Sequence, residues 1–142
     1  MIEKATTKDI DDLSTLNKEF FGESRDYTEE INSDDTEVYV FRKDNKIVGI
    51  SGVKKNSWNG TGWLLNIFVH PDYRKQGIAS NLVKNMIDIS RENGFRCLVA
   101  EAPSDSNAPA LFKNLNFRKC GYNDRHYSNK PGEIAEFWSY DL

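Results

Sequence analysis

The stretch that decides the fold is Trp63-Leu64-Leu65-Asn66-Ile67-Phe68-Val69, followed by His70-Pro71-Asp72-Tyr73 and Arg74-Lys75-Gln76-Gly77-Ile78-Ala79. The first run is apolar and predicts a buried strand, and the residues from Ile78 to Gly94 show helical periodicity. The first N–H groups of a helix lack partners within it and lie at the positive end of the helix dipole. A strand, a tight turn and a helix start in this order predict a phosphate site.

The turn itself has the residue types that such a site needs. Gly77 lets a ligand approach the backbone closely, and Ala79 keeps the next position small. Arg74 and Lys75 add two cations where a pyrophosphate would bind.

The segment from Val69 to Ala79 is similar to the acyl-CoA signature of the GCN5-related N-acetyltransferases, in which Q/R-x-x-G-x-G/A follows V-x-P-x-Y. The resemblance implies a mixed α/β fold with a twisted, mostly antiparallel sheet of about six to seven strands, one parallel pair that splays apart, and about four flanking helices. It also implies transfer of an acetyl group from acetyl-CoA to a primary amine, within a ternary complex.

The resemblance further implies which residues hold the co-substrate. Main chain of the first strand would contact the pantetheine arm and the acetyl group, and the turn with the first helical residues would hold the pyrophosphate. These residues are Ile67, Phe68, Val69, Arg74, Lys75, Gln76, Gly77, Ile78, Ala79 and Ser80. Asn107 matches an asparagine that contacts CoA in the family.

Glu101 is the candidate general base, at the end of an apolar strand predicted from Phe95 to Glu101. A right-handed strand, helix, strand unit places this strand beside the one from Trp63. The region from Trp63 to Phe117 resembles bacterial ribosomal-protein alanine N-acetyltransferases, whose base is a glutamate at this strand end. The alternative is a strand-end carboxylate that faces water.

One position departs from the family pattern. Members usually have a tyrosine in L-Y-x-x-L-G-F as the general acid for the CoA thiolate, whereas this chain has Phe112 in Leu111 to Phe117. Tyr127, in a polar loop, matches an acceptor-site tyrosine and is the candidate substitute acid or substrate contact; an uninvolved loop tyrosine is the alternative. We expect the neighbouring His126 to be an uninvolved surface histidine.

The segment from Glu19 to Glu37 has eight carboxylates and one basic residue, Arg25. It is either a solvated acidic face or a rim that attracts a cationic amine. Two kinds of acceptor remain possible. The resemblance implies a peptide amino terminus, and the acidic segment suits a small polycation such as a polyamine or aminoglycoside equally well.

Composition agrees with one domain over residues 1–142. With 38% hydrophobic and 29% charged residues the chain is of the ordinary globular type, and a net charge of −3 disfavours nucleic acid as a partner. No apolar run approaches the roughly 20 residues of a membrane span, and the N-terminus does not begin a signal peptide, so we expect a cytoplasmic protein without a membrane partner. The exposed edge strands of an open sheet are compatible with a homodimer.

Cysteine usage excludes a metal-ligand pattern. Cys97 and Cys120 are expected to be buried free thiols rather than a disulfide, and no metal site is predicted. Two other classes of function remain at this stage. The first, motivated by Phe112, is a sensor or scaffold that binds acyl-CoA without transferring the acetyl group. The second is a structural domain in which the glycine turn is incidental.

The remaining elements follow from local patterns. Apolar positions predict a helix that begins after Thr6 and ends at Gly22. Two β-rich runs, Val38 to Arg42 and Ile47 to Val53, predict a hairpin, and the segment from Lys54 to Thr61 reads as the next turn.

Overall fold

The computed structural model describes all residues, Met1 to Leu142, in seven strands and four α-helices. The strands are β1 (Ile2–Lys4), β2 (Thr36–Lys43), β3 (Lys46–Asn56), β4 (Thr61–Val69), β5 (Cys97–Pro103), β6 (Arg118–Asn123) and β7 (Ala135–Asp141). The helices are α1 (Ile10–Phe21), α2 (Thr28–Asn32), α3 (Ile78–Glu92) and α4 (Ala108–Asn114), with short 3-10 turns at Thr7–Asp9 and Pro71–Tyr73.

The strands hydrogen bond in the order β1-β2-β3-β4-β5-β7-β6. The β4/β5 pair is parallel, whereas β1/β2, β2/β3, β5/β7 and β6/β7 are antiparallel. The predicted mixed fold, with a mostly antiparallel sheet and one parallel pair, is therefore confirmed. The chain forms two compact units: unit 1 comprises Met1–Lys54 and Leu65–Met86, and unit 2 comprises Lys55–Leu64 and Ile87–Leu142.

Unit 1 is built on the predicted hairpin of β2 and β3. Asp44 and Asn45 both have positive φ, 53° and 61°, as a tight hairpin turn requires. Helix α1 is preceded by a capping box between Thr6 and Asp9 and ends at Gly22, whose φ is 80°. The buried side chains between the helices and the sheet are Ala5, Leu13, Leu16, Tyr27, Val38, Val40, Ile47 and Ile50.

The first half of α3 packs directly on β3 within unit 1. A Cβ atom at Gly49 would lie 3.0 Å from Leu82 Cδ1 and 3.2 Å from Ile78 Cγ2. Only a residue without a side chain allows helix and strand to approach this closely, because protein interiors leave few gaps. Leu82 itself is completely buried.

Unit 2 contains the parallel ladder, which pairs Thr61 with Cys97, Gly62 with Leu98 and Trp63 with Val99. Strand β5 pairs along its whole length with β7. Helix α4 buries Phe112, whose ring lies 5.1 Å from that of Phe117.

Three details differ from the expectations. Strand β3 continues to Asn56 and β4 begins at Thr61, so the predicted turn over Lys54 to Thr61 is shorter than expected. Strand β5 is shifted by two residues, from Phe95–Glu101 to Cys97–Pro103. Both cysteines are free, but only Cys97 is buried, and the prediction of burial for Cys120 was wrong because β6 is an exposed edge strand. No helix is long and apolar enough to cross a membrane.

Replacement of Leu82 by alanine should lower the free energy of unfolding by about 2 to 5 kcal/mol, because it leaves a cavity beneath β3. Urea unfolding followed by circular dichroism measures the change. Lys84→Ala, at an exposed position of the same helix, should change it by less than about 0.5 kcal/mol. Equal effects of the two substitutions would contradict the packing described for α3.

Candidate active site

The turn from Arg74 to Gly77 is exposed and has two left-handed residues. Lys75 has φ 60° and Gly77 has φ 79°, and the backbone then enters α3, where the Asn81 N–H donates to the Gly77 carbonyl oxygen at 3.0 Å. The amides between Gly77 and Asn81 precede the first amide that donates within the helix, so they are available to a ligand. The sequence-predicted anion site therefore has the expected backbone form.

The surroundings of Gly77 leave room for a ligand. A Cβ atom built there would meet no atom within 4 Å. Ile78 points into the core, whereas Ala79 and Ser80 are half-buried. An anion cradled by main chain fits at this position without displacing a side chain.

Two side chains of the turn have partners within unit 1. Arg74 donates from Nε to the Val69 carbonyl oxygen at 2.9 Å, and its guanidinium lies 5.7 Å from the centre of the Phe68 ring. Gln76 accepts from Lys43 Nζ at 2.7 Å. Arg74 thus links the turn to β4, whereas Lys75 is an exposed cation.

Strand β4 carries the backbone that the resemblance assigns to the acetyl group. Ile67 and Phe68 are half-buried and Val69 is buried. Asn66, directly before them, has φ 53°, a left-handed residue inside a strand. Asparagine tolerates this conformation better than most residues, which is the sequence signal that could have revealed the irregularity.

Arg25 holds the Asn66 side chain in place. Its guanidinium donates one hydrogen bond to Asn66 Oδ1 and another to Glu30 Oε1 at 2.5 Å. The loop between α1 and α2 is therefore tied to the irregular residue of β4. Sequence reasoning identified Arg25 only as the single cation of an acidic segment.

A cavity of about 420 Å³ lies within unit 1, between α1, the α1–α2 loop and strands β3 and β4. We call it the α1–β4 cavity. Its lining is mostly apolar, and Asn17 and Tyr27 are hydrogen bonded to each other at 3.1 Å. The lining residues are Leu13, Leu16, Asn17, Phe21, Glu23, Ser24, Arg25, Tyr27, Ile50, Asn66, Ile67 and Phe68.

The acidic segment is only partly available to a cationic ligand. Glu30 binds Arg25, Glu37 lies 2.8 Å from Lys4 Nζ, and Asp26 accepts from the Thr28 hydroxyl at 2.5 Å. Glu23 is the one carboxylate of the segment that lines the cavity. Much of the segment's charge therefore stabilises local structure.

Glu101 lies in unit 2 on β5, where it pairs with Phe137 of β7. Successive strand residues point to opposite faces, so Glu101 shares its face with Val99, and Val99 pairs with Trp63. The rings of Trp63 and Phe137 meet edge to face at 6.2 Å. The Glu101 side chain is 35% exposed. Its exposure is therefore intermediate between the predicted partial burial and the alternative, a carboxylate that faces water.

Two side chains of the loop between β6 and β7 contact Glu101. His126 Nε2 lies 2.8 Å from Glu101 Oε2, and the Tyr127 hydroxyl donates to the same carboxylate. Desolvation, and then the hydrogen bond to Glu101, raise the pKa of Tyr127 far above its ordinary value. His126, which we expected to be an uninvolved surface histidine, is exposed as predicted but lies in contact with Glu101, because β5/β7 pairing brings its loop there.

Asn107 and Phe112 lie on either side of the start of α4. Asn107 is half-buried at the helix N-cap, where its carbonyl accepts from Leu111 N–H at 3.2 Å and its side chain makes no capping bond. Its predicted contact with CoA stays a prediction. Phe112 is 2% exposed, so the position of the usual tyrosine is part of the core of unit 2. No group of three or more His, Cys, Asp or Glu side chains could hold a metal ion.

Comparison with known proteins identifies the family. The Acetyltransferase (GNAT) family matches residues 7–122, and the chain therefore belongs to this family of acyl-CoA-dependent N-acetyltransferases. Streptothricin acetyltransferase A of Bacillus subtilis (strain 168) is 27% identical over 140 residues, covering 82% of this chain and 75% of that protein. The [ribosomal protein bS18]-alanine N-acetyltransferase of Escherichia coli (strain K12) is 33% identical over 70 residues, with 49% of this chain and 47% of that protein covered.

The fold is confirmed by solved structures as well. Arabidopsis thaliana NAA60 in complex with acetyl-CoA superposes with a TM-score of 0.83 at 18% identity, covering 100% of this chain and 98% of that one. This likeness concerns the fold, and together with the family match it confirms the resemblance from which the sequence analysis argued.

Replacement of Glu101 by glutamine should lower the pKa of Tyr127 toward that of an ordinary tyrosine, because a neutral amide no longer opposes the phenolate. The pKa should remain somewhat raised, since burial acts independently of the carboxylate. Ultraviolet titration of phenolate, compared with Tyr127→Phe in each background, isolates this one residue. Glu92→Gln, at the end of α3, should leave the titration unchanged, and a Tyr127 pKa insensitive to Glu101→Gln would contradict the contact.

Proposed function

We propose that the protein transfers the acetyl group of acetyl-CoA directly to a primary amine. The observation that carries the proposal is the exposed turn from Arg74 to Gly77, whose left-handed residues open the N-terminus of α3 directly after β4. Backbone amides in this form suit the pyrophosphate of a CoA molecule. The family match supports the same assignment.

The residues of unit 1 would position the co-substrate. Acetyl-CoA supplies an acetyl group activated as a thioester. Main chain from Ile67 to Val69 would align the pantetheine arm and the acetyl group, and main chain from Arg74 to Ser80 would hold the pyrophosphate. A backbone N–H of β4 would stabilise the negative charge that develops on the carbonyl oxygen.

Glu101 would act as the general base. Its carboxylate takes a proton from the acceptor ammonium, directly or through water, so that the neutral nitrogen forms the new N–C bond as the C–S bond breaks. Tyr127 is a weak proton donor, since its pKa is raised and its hydroxyl is engaged with Glu101. Thiols have a pKa of about 8.5, so water suffices to protonate the leaving thiolate.

For the acceptor we propose a peptide amino terminus whose first side chain is apolar. The α1–β4 cavity has mostly apolar walls and includes Ile67 and Phe68, which are also assigned to the acetyl end of the co-substrate. An apolar side chain gains free energy there, whereas a polycation would find one carboxylate, Glu23. The alanine specificity in the name of the E. coli relative supports a small apolar first residue.

The location and assembly of the protein are also proposals. Two free thiols suit the reducing environment of the cytoplasm, which supports the predicted location. A homodimer remains a prediction from the open sheet edges.

Calorimetry should detect acetyl-CoA binding to the purified protein, and free thiol should then appear with apolar-starting peptides. Glu101→Gln should lower kcat by roughly 10²- to 10⁴-fold and leave the affinity for acetyl-CoA unchanged, because the base acts on the acceptor. Asp124→Asn, in the loop that follows β6, is the matched control and should keep full turnover.

Each outcome separates one alternative. Binding without thiol release from any amine or peptide would favour an acyl-CoA-binding scaffold, and absence of binding would remove the proposed function. Turnover unaffected by Glu101→Gln would show that another group is the base.

The cavity assignment predicts a change in acceptor selectivity. Phe21 is 57% exposed and contacts the Phe68 ring at 5.0 Å, so Phe21→Ala removes apolar wall without opening the core. The KM of a peptide that begins with leucine should rise about fivefold to tenfold, equivalent to roughly 1 to 1.4 kcal/mol of lost burial. Steady-state thiol release measures it.

The KM of a glycine-initiated peptide should change little, since it has no side chain to lose contact. Trp58→Ala removes another exposed aromatic ring, outside unit 1, and should alter neither KM. A uniform rise for both peptides with Phe21→Ala would contradict the assignment.

A further inference from the structure

His126 makes a specific contact whose function neither the sequence pattern nor the family match explains. Its Nε2 atom lies 2.8 Å from Glu101 Oε2, and the two side chains are 36% and 35% exposed. A pair at this depth is neither fully hydrated nor sealed in the core.

The imidazole is held on two sides. The Tyr127 ring meets it edge to face, with centroids 5.0 Å apart, and the Phe137 ring does so at 6.0 Å. Phe137 is also the partner of Glu101 in the β5/β7 register. Sheet pairing and ring packing thus place the imidazole against the carboxylate, which distinguishes it from a freely rotating surface histidine.

We propose that His126 is a positioning residue for Glu101. The proposal rests on the proposed function of Glu101 as general base. The Nε2 atom, 2.8 Å from Oε2, fixes the orientation of the carboxylate, so that its other oxygen stays free for the acceptor amine.

The proton balance leaves His126 unchanged in each cycle. The proton of the acceptor ammonium goes to Glu101 and then to water. The N–C bond forms, the C–S bond breaks, and the second proton that the nitrogen loses on becoming an amide passes through water to the leaving thiolate. His126 forms no covalent bond and takes no proton from the substrate. Its effect is to hold the base in position, which alone can change rates substantially.

The other charged groups nearby have partners of their own. Tyr127 donates to Glu101, and Asp105 acts on Tyr127 through its charge. Asp124 and Arg125, in the same loop, lie 3.3 Å apart, and Lys119 of β6 binds Glu136 of β7 at 2.8 Å. His126 and Tyr127 are therefore the groups of this loop that contact the Glu101 carboxylate.

The test compares two substitutions of His126. His126→Ala should lower kcat roughly tenfold or more, with the KM for acetyl-CoA unchanged. His126→Gln keeps a polar N–H group at this position and should restore most of kcat. Arg125→Gln, in the same loop, should leave kcat unaltered.

The outcomes separate this proposal from the proposed function. Absence of thiol release by the unmodified protein would overturn the function itself. An active protein whose kcat is unchanged by His126→Ala would overturn only the role of His126. Loss of activity in both variants, with no rescue by glutamine, would also contradict it.

Discussion

The parallel contact between β4 and β5 is the constraint on which the rest of the structure depends. Two parallel neighbours cannot be joined by a hairpin, so the chain must cross over, and α3 is that crossover. The crossover requires a tight turn between the end of β4 and the start of α3. The turn from Arg74 to Gly77 meets this need with backbone in the left-handed region, which leaves helix amides exposed. The same feature that closes the fold thus creates the candidate anion site.

The fold was readable from sequence where its signals are local. The apolar run of β4, the periodicity of α3 and the stop at Gly22 depend on neighbours within a few residues, and all three lie where they were predicted. The errors arose where tertiary context decides. Cys120 lies in a strand-like run of sequence, but that strand is at the sheet edge, and β3 runs three residues further than predicted, to Asn56.

The features of the candidate site also differ in whether the sequence could predict them. The turn could be predicted because its pattern of glycine and cations is typical of a main chain conformation that leaves amides exposed. His126 could not, because its contact with Glu101 depends on the pairing of β7 with β5 and on the path of the loop before β7. Arg25 and Asn66 are 41 residues apart in sequence and meet only after folding. Side-chain constellations of this kind have no local signature.

Phe112 takes the place of the usual tyrosine, so the proposed reaction depends on its general base more than on a general acid. Phe112 is buried against Phe117 and can donate no proton, and Tyr127 is hydrogen bonded to Glu101 and has a raised pKa. Neither residue is suited to protonate a thiolate. A thiolate whose thiol has a pKa of about 8.5 can leave without an acid, whereas the ammonium of a peptide amino terminus cannot attack a carbonyl until it has lost its proton. Removal of that proton needs a base, and His126 and Tyr127 both contact the carboxylate that would perform it.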